Sequence, residues 1–176
     1  MICLLLVLDF SAMNNTLSVR KVLPEDHDQL WTIIREVIAG GETYVFHPDS
    51  SREKMMAYWL ASDKHVYIVE QGGEMVGTFT IKPNMPDRGS HVANGSYMVS
   101  PHHSGKGIGE FMGRYSLEEA KRLGYQAMQF NIVIKSNSPA VKLWQKIGFK
   151  IIGEVPNAFQ HPKLGPTNAY IMYREL

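Results

Sequence analysis

The sequence predicts an α/β (α+β) fold, with a mixed, mostly antiparallel central sheet of six to seven strands and helices on both faces. The predicted element order, β-α-α-β-β-β-α-β-α-β-β, supports this fold class because consecutive strands occupy the middle of the chain and helices separate the later ones. The turn Gln71-Gly72-Gly73-Glu74 joins two of the middle strands as an antiparallel hairpin. With 176 residues, 44% of them hydrophobic and 20% charged, the chain is long enough to bury a single core.

The first half of the chain predicts a strand followed by two helices. Residues 17–23 alternate loosely and predict the strand, which Pro24 ends. Apolar residues then recur at the spacing of one helix face until Gly40-Gly41 ends the helix. This apolar stripe consists of Leu30, Ile33, Ile34, Val37 and Ile38. Ser50 and Glu53 form a capping box that predicts the second helix. The buried side of that helix consists of Met55, Met56, Trp59 and Leu60.

The second half predicts most of the sheet. Strands are expected over residues 66–70, 75–82, 92–100, 127–134, 149–152 and 169–173, and helices over 107–123 and 138–147. The dipeptide Asn94-Gly95 falls inside one of these strands, although it is typical of a hairpin turn. Glycine also occurs at bulges and where another group approaches the backbone closely, and this is the interpretation we favour over a turn.

Charge and cysteine content exclude several classes of function. The chain has 18 basic and 17 acidic residues, a net charge of +1, which argues against a partner made of nucleic acid. Cys3 alone forms no disulfide framework, and the seven histidines lack metal-ligand spacing, so no metal is expected. No apolar run approaches the roughly 18 residues of a membrane span. Phe159 and Tyr170 suit a homodimer contact or core packing equally well.

Residues 1–16 are expected to form a tail ahead of a domain over residues 17–176. The apolar run 2–8 has no basic residue before it, because the first in the chain is Arg20, so a secretory signal is not favoured. We expect either a poorly ordered tail or an upstream start codon, with Met13 as the functional start. The expected location is the cytoplasm.

A glycine-rich turn between a predicted strand and a predicted helix indicates an anion site. Gly105, Gly107 and Gly109 lack Cβ atoms, so backbone N–H groups can converge on a bound group. The helix begins there, and its unpaired N–H groups and positive dipole end point the same way. Phosphate is the natural ligand, and Lys106 adds a charge. The spacing matches neither a P-loop nor a dinucleotide-binding fingerprint, and a simple helix-starting turn is the alternative.

A second stretch, residues 131–149, is on its own typical of an ordinary strand and helix. Together, in this order and spacing, the two stretches resemble the GNAT superfamily of acetyl-CoA-dependent N-acetyltransferases. The turn resembles that family's [Q/R]-x-x-G-x-[G/A] motif over residues 104–109. The later stretch resembles its N-x-x-A-x-x-L-Y-x-x-x-G-F motif through Asn137, Ala140, Leu143, Trp144, Gly148 and Phe149. The resemblance covers roughly residues 17–176 and implies the GNAT acyl-CoA N-acyltransferase fold.

The resemblance implies acetyl-CoA as the cosubstrate. In this family the backbone N–H groups of the glycine loop hold the pyrophosphate, which here implies Ser104, Gly105, Lys106, Gly107, Ile108, Gly109 and Glu110. The preceding strand binds pantetheine through its main chain, here that of Tyr97, Met98 and Val99. One of these N–H groups polarises the thioester carbonyl. The side chain of Asn137 matches a further contact to the coenzyme.

Two positions depart from the family pattern. Ser104 stands where the motif has Gln or Arg, so coenzyme affinity is expected to depend more on Lys106 or His103. Trp144 stands where many members have a tyrosine that protonates the leaving thiolate. The indole N–H has no proton to give, so we expect no dedicated acid, or a water in that role. Trp144 then either packs against the coenzyme and acyl group or is an ordinary core residue.

The acceptor site implied by the resemblance lies in the loop between the first two helices. Glu42 is a candidate general base in this loop, beside His47, and Tyr44 and Phe46 are candidate acceptor contacts. A plain surface position is the alternative for Glu42. The implied mechanism is direct attack of a neutral amine on the thioester.

Asn131 is a candidate for contact with the acceptor or the thioester. Alternation places it on one strand face with Ala127, Gln129 and Val133, opposite Met128, Phe130, Ile132 and Ile134. An amide in so apolar a strand needs a partner, which is either internal or a ligand. The strings around Asn94, Asn131 and Asn137 resemble a subgroup that acetylates azetidine-2-carboxylate and related proline-like amines, in which this asparagine contacts the substrate.

Three functions remain open at the level of the sequence. The leading hypothesis is an N-acetyltransferase that acts on a small amino-acid-like amine. The second keeps the enzyme but makes the acceptor a protein N-terminus or a lysine. The third is a catalytically weak acetyl-CoA-binding sensor, suggested by the departures at Ser104 and Trp144.

Overall fold

The computed structural model describes residues 16–176, so the tail predicted over residues 1–16 lies outside the described part except for its last residue. The strands are β1 (Leu17–Lys21), β2 (His65–Gln71), β3 (Glu74–Pro83), β4 (Val92–Val99), β5 (Ala127–Ile134), β6 (Lys150–His161) and β7 (Gly165–Glu175). The helices are α1 (His27–Ala39), α2 (Arg52–Trp59), α3 (Ile108–Arg122) and α4 (Ser138–Lys146). The predicted order of elements is confirmed.

All seven strands form one sheet in the order β1-β2-β3-β4-β5-β7-β6. Its strand pairs are antiparallel except β4 and β5, which run parallel. The mixed, mostly antiparallel sheet predicted from the sequence is therefore confirmed. Gly72 and Gly73 have φ values of 61° and 82° in the turn between β2 and β3, as a tight hairpin requires.

Two apolar clusters lie on opposite faces of the sheet. One packs α1 and α2 against alternate residues of β2, with Leu30 and Trp59 fully buried. The other packs α3 and α4 against the opposite face, around Met112, Phe130 and Trp144. Alternation along each strand sends neighbouring side chains to different clusters, so the sheet is covered on both faces.

The bounds of α2 and of the last two strands differ from the predictions. Ser51, and not Ser50, caps α2, because its Oγ accepts a hydrogen bond from the Lys54 N–H at 3.2 Å. The last two strands are twice as long as predicted or more. Pro156 lies inside the edge strand β6, where a proline is tolerated, and the pairing with β7 is irregular between Val155 and Phe159.

Within residues 16–176, no helix is long and apolar enough to cross a bilayer.

Candidate active site

The site begins where the two parallel strands separate. β4 and β5 pair only through Val92–Ala127 and Ala93–Met128, and beyond these pairs they diverge. The gap opens a cavity of about 740 Å³. The walls of the cavity come from β4, β5, the start of α4 and the α1–α2 loop (residues 40–51). The splayed sheet thus places one continuous cleft between the glycine loop and the α1–α2 loop.

Asn94-Gly95 lies inside β4 without a turn, which confirms the close-approach interpretation. Gly95 pairs with Ile81 of β3 in the regular register. A Cβ placed on Gly95 would lie 2.7 Å from the hydroxyl oxygen of Tyr97, two residues further along the same strand. The glycine therefore makes room for the Tyr97 side chain, which hydrogen-bonds Ser116 at 2.7 Å.

The glycine loop presents a series of free backbone donors at the start of α3. Gly105 and Gly107 have φ values of 76° and 81°, a conformation that side chains with a Cβ rarely adopt. The first helical bond runs from the Phe111 N–H to the Gly107 carbonyl at 3.0 Å, and no side chain caps the helix. Among the described residues, the N–H groups of residues 105–110 therefore have no protein acceptor. Six consecutive donors at a helix N-terminus suit a diphosphate.

Ser104, His103 and Lys106, the residues expected to help the loop bind phosphate, differ in how well they are placed to do so. The Ser104 N–H donates to the Pro101 carbonyl at 3.4 Å, so the free series begins one residue later than predicted. His103 turns its Nε2 towards Glu74 at 3.8 Å, whereas Lys106 is exposed at the loop. Lys106 is thus better placed than His103 to add charge beside a bound phosphate.

The acidic residue closest to the loop is neutralised by two cations. Glu110, in the first turn of α3, pairs with Lys146 at 2.6 Å and with Arg114 at 2.9 Å. The Lys146 ammonium and the Arg114 guanidinium lower the pKa of Glu110. A phosphate at residues 105–110 would therefore meet little repulsion from this carboxylate.

Only alternate residues of β4 expose their backbone to the cleft. The Ser100 N–H donates to the Val76 carbonyl of β3 at 2.9 Å. Because backbone groups alternate between the two edges of a strand, the N–H and C=O of Met98 also point to β3. Those of Tyr97 and Val99 point to β5. Met98 is also buried, with 1% of its surface exposed. The main-chain contact to pantetheine predicted for Met98 is not supported by this geometry, because a strand residue directs its N–H and C=O to one edge.

The backbone N–H and C=O of Tyr97 are both hydrogen-bonded to a side chain of the α1–α2 loop. The Tyr44 hydroxyl accepts a hydrogen bond from the Tyr97 N–H at 3.0 Å and donates one to the Tyr97 carbonyl at 2.8 Å. Burial raises the pKa of Tyr44, so its hydroxyl stays protonated at neutral pH. Nothing in the sequence signals this contact, which joins residues 53 positions apart.

Two residues of the later motif line the cavity from α4. The Asn137 side chain caps α4 by accepting a hydrogen bond from the Ala140 N–H at 3.3 Å, which leaves its NH₂ group for a ligand. Trp144 is 7% exposed, and its ring lies 4.7 Å from those of Tyr97 and Phe130. Trp144 is therefore a core residue that also borders the cavity, and its packing against the coenzyme stays a prediction.

Three asparagines join across the diverging strands. The side-chain oxygen Oδ1 of Asn84 accepts hydrogen bonds from the side-chain NH₂ groups of Asn131 of β5 at 2.8 Å and Asn94 of β4 at 3.0 Å. The Gln129 side chain donates to the side-chain oxygen Oδ1 of Asn131 at 2.8 Å. All three asparagines line the cavity. The sequence singled out Asn131 but missed Asn84, whose loop position gave no sign that it bridges two strands.

The face predicted for Ile132 was wrong, and the reason is a bulge. Phe130 pairs with Met172 and Val133 with Tyr170, so β5 has one residue more than β7 between these pairs. Asn131 and Ile132 are both exposed and both line the cavity. The bulge thus turns a second side chain into the site, which strict alternation does not anticipate.

The predicted acceptor loop borders the other end of the cavity. Glu42, Tyr44 and Phe46 all line it, whereas His47 does not and is mostly exposed. Glu42 forms an ion pair with Lys163 of the β6–β7 turn at 2.6 Å. The Lys163 ammonium lowers the pKa of Glu42, which makes this carboxylate a weaker base. Glu36 of α1 is the other acidic residue among the cavity-lining residues, and sequence reasoning missed it.

Comparisons with known proteins agree with this geometry. A model of the acetyltransferase (GNAT) family matches residues 31–149. N-acetyltransferase aca1 of Schizosaccharomyces pombe is 39% identical over 84 residues, which are 48% of this chain and 40% of that protein. Protein SPT10 of Saccharomyces cerevisiae is 31% identical over 85 residues, 48% of this chain and 13% of that protein. The matched region thus spans less than half of either relative.

Two solved structures extend the likeness to the whole fold. A GCN5-related N-acetyltransferase from Kribbella flavida has a TM-score of 0.87 and 34% identity, covering 94% of this chain and 100% of its own. YncA of Salmonella typhimurium, a putative acetyltransferase solved with its cofactor acetyl-CoA, has a TM-score of 0.79 and 19% identity, covering 92% of this chain and 94% of its own. With the family match over residues 31–149, the splayed strands and the free amides of the glycine loop, the chain belongs to the GNAT family of acetyl-CoA-dependent N-acetyltransferases.

Proposed function

We propose that the protein transfers the acetyl group of acetyl-CoA to the amine of a small amino-acid-like molecule by direct attack. The observation that carries this proposal is the amide cluster Asn84–Asn94–Asn131 in the acceptor half of the cavity. Proline-like amines such as azetidine-2-carboxylate are the acceptors that best fit the resemblance of these segments.

The amide cluster suits a carboxylate. Asn94 and Asn131 each use one N–H on the Asn84 oxygen, so each keeps a second N–H, and the Asn84 NH₂ group keeps both. N–H donors around a carboxylate make charge-assisted hydrogen bonds, which are about twice as strong as neutral ones. An acceptor amino acid would thus be oriented by its carboxylate, with its amine directed at the cleft.

The mouth of the cavity favours a small acceptor over a protein surface. The β6–β7 turn reaches the α1–α2 loop through the Lys163–Glu42 ion pair, and Pro162 lies 3.7 Å from the position of a Cβ on Gly41. Tyr44 and Phe46 form the aromatic wall beneath this contact, with ring centroids 6.3 Å apart. A bulky polypeptide would have to open this contact, whereas a small amine would not.

The chain's own groups divide the work of the reaction. Bound acetyl-CoA supplies the activated thioester. The amides of residues 105–110 fit its diphosphate, and the cleft-facing N–H groups of Tyr97 and Val99 suit the pantetheine arm and the acyl oxygen. The amide cluster orients the amine but takes no proton, so the amine's proton leaves through water or one of the lining carboxylates, Glu36 and Glu42.

Thiol release with a panel of amines tests the proposal. The panel contains azetidine-2-carboxylate, proline, their amides, primary amino acids and peptides with free N-termini or lysines. We expect turnover with the cyclic amino acids and much less with their amides. Turnover confined to peptides would contradict the proposal in favour of a protein acceptor, and acetyl-CoA binding without turnover would favour a sensor.

Asn131→Ala should raise the acceptor KM about tenfold or more, since each charged hydrogen bond is worth about 1.5–3 kcal/mol. The dissociation constant of acetyl-CoA should stay nearly unchanged. Asn168→Ala is the matched control, because Asn168 lies on β7 and does not line the cavity. Equal effects of the two variants would contradict a substrate contact at Asn131.

A further inference from the structure

The strongest unexplained feature of the site is the double hydrogen bond between the Tyr44 hydroxyl and the backbone of Tyr97. The two distances are 3.0 Å from the Tyr97 N–H and 2.8 Å to the Tyr97 carbonyl. A single hydroxyl thereby satisfies both backbone groups that Tyr97 directs at the cleft. These are groups that a neighbouring strand would otherwise pair, at the point where β5 has moved away.

The ring of Tyr44 lies in an aromatic group with Phe46 and Trp59. It packs on Phe46 with ring centroids 6.3 Å apart and on Trp59, the fully buried end of α2, at 6.4 Å. The hydroxyl is the polar end of this side chain, and it reaches the Tyr97 backbone in the cleft from the α1–α2 loop. It accepts from the Tyr97 N–H, one of the β4 amides that the family resemblance assigns to the donor's acyl end.

We propose that Tyr44 is a positioning residue. In the free protein its hydroxyl occupies the position on β4 that the acyl oxygen of acetyl-CoA takes in the complex, and the hydroxyl leaves Tyr97 when acetyl-CoA binds. The acceptor loop is thus fixed to β4 in the free protein and released by the donor. This inference rests on acetyl-CoA as the donor and on Tyr97 as the residue that meets its acyl end, and it does not depend on the identity of the acceptor.

If the acyl oxygen displaces the hydroxyl, a conservative variant without the hydroxyl should bind acetyl-CoA more tightly, and not more weakly. Tyr44→Phe removes the hydroxyl oxygen but keeps the ring on Phe46 and Trp59. The Tyr97 N–H and carbonyl then lose their partner in the free protein, and a space of about one oxygen atom opens beside them. Since an unpaired buried N–H is costly, the acyl oxygen, which accepts from the Tyr97 N–H, restores in the variant a hydrogen bond that the free protein lacks, whereas in the wild type it must first displace the hydroxyl.

Calorimetric titration of the purified protein with acetyl-CoA and with CoA tests the proposal. Tyr44→Phe should bind acetyl-CoA about fivefold more tightly than the wild type, as expected for one competing hydrogen bond. CoA, which has no acyl oxygen, should bind both proteins equally. Tyr58→Phe is the control, because it removes a tyrosine hydroxyl from the same aromatic group, in which Tyr58 packs on Phe46 from α2. Unchanged or weaker acetyl-CoA binding, or an equal gain for CoA, would overturn the proposal.

Hydrogen–deuterium exchange of the wild-type protein keeps the proposal testable if the variant folds poorly. The segment 42–47 should exchange faster with saturating acetyl-CoA than with saturating CoA, because only the acylated donor displaces the hydroxyl. Equal or slower exchange with acetyl-CoA would show that the contact persists in the complex, and the proposal would fail. Neither measurement uses an acceptor, so a failure here leaves the proposed acceptor class unaffected.

Discussion

Trp144 shows how one residue combines packing with a place at the active site. It contacts Tyr97 and Phe130 in the core, and a Cβ on Gly113 would lie 3.0 Å from its ring. Gly113 therefore makes the room on α3 that the indole needs. An indole offers a hydrogen-bond donor but no acidic proton, so the thiolate must leave without this side chain as an acid.

Trp144→Phe should change kcat by less than about tenfold, because losing a true general acid typically costs about 10²–10⁴-fold. The smaller ring leaves a cavity beside Phe130 and should lower the free energy of unfolding by about 1–3 kcal/mol. Steady-state kinetics and urea unfolding measure the two effects separately. A fall in kcat of several orders of magnitude with intact acetyl-CoA binding would contradict this account.

Glu119 carries the clearest acid sensitivity in the core. It is buried on α3, with Arg122 at 2.7 Å and the Tyr67 hydroxyl at 2.5 Å. These two partners lower its pKa from 4.5 to about 2. The folded pKa is depressed, so this stabilisation is fully present above about pH 4.5 and is lost as the pH falls towards 2.

Glu119→Gln should therefore weaken the fall in stability between pH 4.5 and 2 and lower the stability at neutral pH. Thermal unfolding at a series of pH values measures both. Glu118→Gln is the matched control, because Glu118 is the exposed neighbour on the same helix. The same pH profile in both variants would show that the Arg122 and Tyr67 contacts do not couple to folding.

At the scale of the elements, local sequence patterns correctly predicted the helix face and the hairpin turn that depend on residues close together in the chain. The apolar stripe from Leu30 to Ile38 and the Gly72-Gly73 turn appear in the structure as expected, because each depends on neighbours in the sequence. The extra residue of β5 near Asn131 and the length of β6 depend on pairing with β7, which no local pattern records. The same holds for the Asn84 cluster and the Tyr44–Tyr97 contact, which join distant segments.

The contact between the β6–β7 turn and the α1–α2 loop makes a prediction about acceptor binding. Lys163→Met removes the ion pair with Glu42 and should raise the acceptor KM about two- to fourfold, as expected for an exposed pair, with kcat unchanged. Glu42→Gln should match it. Lys135→Met is the control, because it removes a comparable exposed pair with Glu154. A large loss of kcat in Glu42→Gln alone would instead identify Glu42 as the base.

At the scale of the whole molecule, function follows from the one place where the sheet fails to close. The parallel pair β4–β5 holds at two residues and then opens, with the free amides of residues 105–110 at one end and the amide cluster at the other. Donor and acceptor would thus meet in one cleft at a fixed distance, which is the arrangement that direct transfer requires.

Binding of acetyl-CoA to Gly107→Val, measured by calorimetry beside wild type and Gly73→Val, tests this central claim most directly. Gly107 and Gly73 have φ values of 81° and 82°, and a Cβ on either meets no atom within 4 Å. Both variants place a β-branched side chain at nearly the same positive φ, but only Gly107 lies in the anion loop. We predict that Gly107→Val binds acetyl-CoA at least about tenfold more weakly, which corresponds to the loss of one charged hydrogen bond. Gly73→Val should bind with wild-type affinity. Wild-type affinity in both variants would contradict the account.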